Sequence, residues 1–96
     1  MVGREGRIVR KRMTFHGSVQ GVGFRYRARY AASAAGVTGW VRNEYDGSVT
    51  LELQGTEEQI GQVLEAILRG RFIDVESMDE RILPLRDDER GFETVW

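Results

Sequence analysis

Three glycines fall within seven residues of Gly17-Ser18-Val19-Gln20-Gly21-Val22-Gly23-Phe24-Arg25, between a run with strand periodicity and a run with helix periodicity. Upstream, Lys11, Met13 and Phe15 alternate with Arg12, Thr14 and His16, the period of two of a strand. Downstream, Phe24, Ala28, Ala31, Ala32 and Ala35 recur on one helical face, and its small side chains suit close packing on a sheet. Gly36 is a natural stop for that helix. Glycine lets backbone approach a ligand closely. A helix N-terminus adds unpaired N–H groups and partial positive charge, and Arg25 adds a guanidinium fork. Together these residues predict a cup for a phosphate-sized anion.

The remaining pattern fills out the fold. Val37 to Asn43 reads as a second strand, with Asp46-Gly47 as a hairpin turn. Val49, Leu51 and Leu53 alternate with Ser48, Thr50, Glu52 and Gln54 in a third. Thr56 and Gln59 form a capping-box pattern, with Glu57 and Glu58 in the first turn. Ile60, Val63, Leu64, Ile67 and Leu68 then make a helical stripe that Gly70 ends. Phe72 to Met78 is the expected fourth strand. The charged segment 79–91, with the single proline Pro84, is expected to be loop with room for a strand extension, and Phe92 to Trp96 a short terminal strand. Residues 1–8 are polar and Gly- and Arg-rich, as in a flexible tail. The order βαββαβ predicts an α+β sandwich over 1–96, one domain with two helices on one face of an antiparallel sheet and a short fifth strand.

Composition excludes several chemistries. The chain has 96 residues, no cysteine and one histidine, His16, so disulfides, thiolate catalysis and histidine-rich metal sites fall away. No apolar run approaches the roughly 20 residues of a membrane span, and residues 1–7 lack a signal-peptide core; a cytoplasmic protein is expected. Charge is uneven: residues 1–43 carry nine basic and one acidic side chain, and residues 44–96 carry five basic and fourteen acidic. Either the two halves form oppositely charged surfaces, or the half holding the glycine loop draws anions. Nucleotide loops do not fit. No third glycine completes G-x-G-x-x-G after Gly21 and Gly23, and no G-K-[ST] closes a Walker loop.

The stretch Gly17 to Arg25 resembles the first signature of the acylphosphatases. Gly39-Trp40-Val41-Arg42-Asn43-Glu44-Tyr45-Asp46-Gly47-Ser48-Val49 resembles their second, with Gly55 following at the usual place. The resemblance implies a ferredoxin-like fold and hydrolysis of acyl phosphates to a carboxylate and inorganic phosphate. It implies that Arg25 binds the phosphoryl group together with backbone amides of the loop Gly17, Ser18, Val19, Gln20, Gly21, Val22, Gly23 and Phe24, and that Asn43 positions the attacking water. The chain departs from the family pattern where Gly70 is followed by Arg71 rather than proline.

The residues suit that chemistry. A carboxylate leaving group needs little acid help, and phosphoryl transfer is driven mainly by positioning and charge stabilisation. Asn43 cannot act as a base but can orient water. No metal, cofactor or covalent nucleophile is required, so a monomer acting on a small acyl phosphate is expected, with phosphate or sulfate able to occupy the loop and with no nucleic-acid or membrane partner. Taken alone, Arg25 could be a solvated arginine and Asn43 a residue shaping the hairpin. Trp40 is expected to be core or support rather than a substrate contact, His16 a bystander, and Gln20 to rigidify the loop. The alternative function is a non-catalytic phosphate-binding regulatory module. RNA binding shares the element order but needs stacking aromatics on central strands.

Overall fold

The computed structural model describes residues 6–96. Its elements are β1 (Ile8–Ser18), α1 (Phe24–Ala35), β2 (Thr38–Asn43), β3 (Val49–Thr56), α2 (Glu57–Leu68), β4 (Asp74–Leu83) and β5 (Phe92–Val95). The sheet order is β4-β1-β3-β2-β5. The first four strands pair antiparallel, as expected. The short fifth strand pairs parallel to β2, so the complete sheet is mixed. β4 and β5 lie at opposite edges, and the 84–91 segment between them carries the chain across the sheet.

Both helices contribute to one core. Met13, Phe15, Val41, Val49, Leu51 and Leu53 of the sheet pack with Phe24, Ala28 and Ala32 of α1 and Ile60, Val63 and Ile67 of α2. Each fully buried large aliphatic side chain stabilises the fold by about 1.5–3 kcal/mol relative to exposure. Leu68, expected in the buried stripe, is exposed at the last position of α2. Three further boundaries move. Residues 1–5 of the expected tail lie outside the described residues, but Ile8 already pairs with Thr56, so strand pairing begins before Lys11. At the other end, β1 continues through Gly17 and Ser18, which pair with Val75 and Asp74. The fourth strand covers 74–83 rather than 72–78: Phe72 sits in the preceding turn, and the charged stretch after Met78 pairs with β1 until Pro84. An edge strand exposed to water needs no apolar alternation, so its hydrogen bonds form where its pattern is silent.

The opposite face of the sheet is charged. Arg10 and Arg12 both bond Glu52, at 2.6 and 2.8 Å. Arg10 also donates to both carboxylate oxygens of Glu89, at 2.8 and 3.1 Å. Gln54 accepts from the Arg86 backbone N–H and donates to its carbonyl, so the 84–91 segment is tied over this face. Trp40 lies here, with the guanidinium groups of Arg12 and Arg42 over its ring at 5.9 and 5.1 Å.

Candidate active site

The turn from β1 into α1 is pinned at both ends and open between. Val19 and Phe24 are buried, and the Phe24 ring meets Phe15 at 5.0 Å, fixing the start of α1 against β1. The pairing of β1 with β4 shifts register between His16 and Gly17. A side chain at Gly17 would strike the backbone carbonyl of Asp74, and its φ of +129° is itself one that favours glycine. The Gln20 amide donates to the carbonyls of Glu44 and Ser48, at 2.7 and 2.9 Å, and ties the turn to the β2–β3 hairpin. That is the rigidifying role expected of it.

The N-terminus of α1 is left uncapped. Gly23 occupies the N-cap in a left-handed conformation, provides no side-chain hydrogen bond, and no acid lies in the first turn. The first-turn N–H groups therefore keep their charge-binding capacity. The contrast with α2 is direct. There the Thr56 hydroxyl accepts from the Gln59 N–H at 3.1 Å, the Gln59 amide oxygen accepts from the Thr56 N–H at 2.9 Å, and Glu57 and Glu58 follow.

A cavity of about 160 Å³ opens at this uncapped end, lined by Val19, Gly21, Gly23, Phe24, Arg25, Tyr26 and Asn43. It unites Arg25 and Asn43, which are distant in sequence, because β2 ends beside the start of α1. Among the expected loop residues, Gly17, Ser18, Gln20 and Val22 lie outside its lining. The Val19 and Phe24 side chains belong to the core, which leaves their backbone to face an anion. The Asn43 Oδ1 is buried and finds no hydrogen-bond donor among the described residues. An unsatisfied buried acceptor of this kind costs about 1–3 kcal/mol.

Charge around the cavity is arranged to leave Arg25 available. Its guanidinium stacks over the Trp96 ring at 4.5 Å, and among the described residues no carboxylate pairs with it. Stacking covers the guanidinium plane and leaves its in-plane N–H donors exposed. The nearby acids are engaged elsewhere. Hydrogen bonds from the Thr50 hydroxyl and the Arg42 guanidinium hold the Glu44 carboxyl below its usual range. The Ser48 hydroxyl and backbone N–H do the same for Asp46, which shapes the hairpin. His16 faces Asp79 at 3.5 Å on the strand face opposite Phe15. Two residues near the reacting groups went unmarked in the sequence reading: Tyr26, whose position after Arg25 was the available signal, and Trp96, which nothing local connects to Arg25.

Comparison with known proteins points to one family. The family model described as Acylphosphatase matches residues 11–94. An acylphosphatase of Clostridium acetobutylicum is 41% identical over 81 residues, 83% of this chain and 89% of the relative. One of Clostridium perfringens is 41% identical over 88 residues, 91% of this chain and 99% of the relative. The crystal structure of acylphosphatase from Bacillus subtilis superposes with a TM-score of 0.83 at 30% identity, covering 92% of this chain and 99% of that one.

Proposed function

The chain belongs to the acylphosphatase family, hydrolases of acid anhydrides, and on that premise we propose that it hydrolyses acyl phosphates by direct attack of water on phosphorus. The phosphoryl group sits in the 160 Å³ cavity, held by Arg25 and by backbone amides of the loop residues that line it, Val19, Gly21, Gly23 and Phe24. The Asn43 side-chain amide orients the attacking water, and the meeting of Asn43 and Arg25 on the wall of one cavity is the observation that carries this reading. Asn43 orients the water without taking its proton. The water oxygen bonds to phosphorus, the bond from phosphorus to the acyl oxygen breaks, and the electron pair leaves on the carboxylate. The water proton passes to a phosphoryl oxygen, giving one carboxylate and one dihydrogen phosphate per water consumed.

The carboxylate is stable near neutral pH, so the site needs no general acid. Positioning water and phosphorus in line, with charge stabilised by preorganised donors, supplies the rate enhancement. No step of this reaction calls for a metal ion or for a residue beyond those named, so a monomer acting without a metal is expected. Inorganic phosphate or sulfate would occupy the same cup.

The test is steady-state hydrolysis of benzoyl phosphate, with p-nitrophenyl phosphate as a poorer substrate, in the presence of a chelator. Arg25→Ala and Asn43→Ala are each expected to lower kcat/KM by at least about 100-fold, the scale of losing one preorganised donor or positioning contact, while melting near the parent temperature. Wild-type activity in Asn43→Ala would remove the water-positioning role. Phosphate binding by calorimetry without turnover would instead mark an anion-binding module.

A further inference from the structure

We propose that the substrate's acyl group lies along the outer face of α1 on Tyr26 and Tyr30, so that the enzyme favours aromatic or extended apolar acyl phosphates over acetyl phosphate. This rests on the acyl phosphate reading above. A groove of about 330 Å³ runs between the two helices, lined by Tyr26, Arg27, Tyr30, Ala31, Ala34 and Ala66. Tyr26 lines both this groove and the phosphoryl cavity, and no other described residue does. Tyr30 follows one helical turn later, about 5–6 Å along the axis. Tyr26 thus borders both the cup and the groove, and Tyr30 lies one turn further along α1, so an acyl group directed over Tyr26 would meet Tyr30 next.

The groove has the character of an acyl subsite. The two tyrosines are 70% and 69% exposed, a large apolar area to leave in water. Their rings stand 5.6 Å apart at 43°, forming a tilted aromatic wall. The three alanines give the groove its depth. Arg27 donates from Nε to the Ala66 carbonyl at 3.2 Å, which holds its side chain in place as a wall. No carboxylate lines the groove, so an anionic substrate meets no repulsion there. A phenyl ring laid on this wall loses contact with water and gains offset aromatic contact, while the tyrosine hydroxyls stay wet.

Tyr30 is the informative position because it touches the groove without lining the cup. The experiment measures kcat/KM for benzoyl and acetyl phosphate, and inhibition by inorganic phosphate, in the wild-type protein, Tyr30→Ala and Tyr30→Phe. The wild type is expected to favour benzoyl phosphate by about tenfold, the scale of burying a few apolar groups. Tyr30→Ala should reduce that preference about threefold or more, chiefly through KM, with Tyr30→Phe retaining it. Inhibition by phosphate, which reaches only the cup, should change less than about twofold. An unchanged preference in Tyr30→Ala, or equal losses on both substrates, would overturn the subsite while leaving acyl phosphate hydrolysis standing. Turnover of neither substrate by the wild type would overturn the acyl phosphate reading and this proposal with it.

Discussion

Asn43 had two meanings in the sequence, a hairpin-shaping residue or a holder of water. The hairpin is shaped by others: Asp46 accepts from Ser48, and Gln20 bridges the carbonyls of Glu44 and Ser48. Asn43 lines the Arg25 cavity, and its buried Oδ1 finds no donor among the described residues. Arg25 and Asn43 stood out as candidates in the sequence because each sits in a long local signature, and the structure brings both to one cavity. Trp96 did not stand out, because its stack on Arg25 joins the last residue to the start of the first helix and no spacing rule spans that distance. A cation–π contact at an exposed site contributes about 0.5–1 kcal/mol. Trp96→Ala is therefore expected to lower kcat/KM for benzoyl phosphate about two- to fivefold and to weaken phosphate inhibition in parallel, with Trp96→Phe between it and the wild type. Unchanged kinetics in Trp96→Ala would show that Arg25 is held by its own backbone alone.

The two helices divide labour through their first turns. α2 closes its N-terminus with Thr56 and Gln59, and the Gln59 amide also donates to the Ala35 carbonyl at 3.1 Å, joining the end of α1 to the start of α2. α1 begins on Gly23 with no side-chain cap, and its first residues line the cavity. Thr56→Ala should cost about 1 kcal/mol, as loss of an N-cap does, and lower Tm by about 4–8 °C for a domain of this size. Its kcat/KM should stay at the parent value, since α2 starts away from the cup; thermal melts alongside benzoyl phosphate assays check both halves of that statement. β1, β3 and both helices were readable from periodicity because each keeps its apolar residues on one face, although β3, in the middle of the sheet, is buried on its polar face as well. β4 was misplaced by several residues because it is an edge strand exposed along nearly its whole length, and its position follows from pairing with β1.

At the scale of the whole molecule, several basic side chains of the first half, among the described residues, are paired with acids of the second. Arg10 and Arg12 pair with Glu52, Arg10 also with Glu89, and Lys11 with Glu57 and Glu80, so charges of the two halves interleave across the sheet. Arg10 is 1% exposed, and the carboxylates of Glu52 and Glu89 make that burial tolerable. Burial pushes the Glu89 carboxyl up, but hydrogen bonds from Arg10 and Thr38 and the attraction of Arg10 and Arg86 outweigh it and hold the group below its ordinary 4.5. With the folded pKa below the unfolded one, its stabilisation is fully present above the ordinary value and is lost as pH falls through the folded one. Glu89→Gln should thus destabilise the protein by about 1.5–3 kcal/mol at neutral pH, as for a hydrogen bond to a charged group. The gap from wild type should close as acid is added below pH 4.5; a pH-independent gap in urea unfolding would show that the charge of Glu89 contributes nothing. The sequence by itself determined the order of elements, the glycine turn and the two signatures, because each is a short-range pattern of periodicity or backbone conformation. Only the tertiary structure decided that Asn43 and Arg25 line one cavity, that Trp96 stacks on Arg25, and that the acids near the cup are already engaged. Those relations depend on which strands and loops become neighbours, and that is fixed by burying the shared core, not by local sequence.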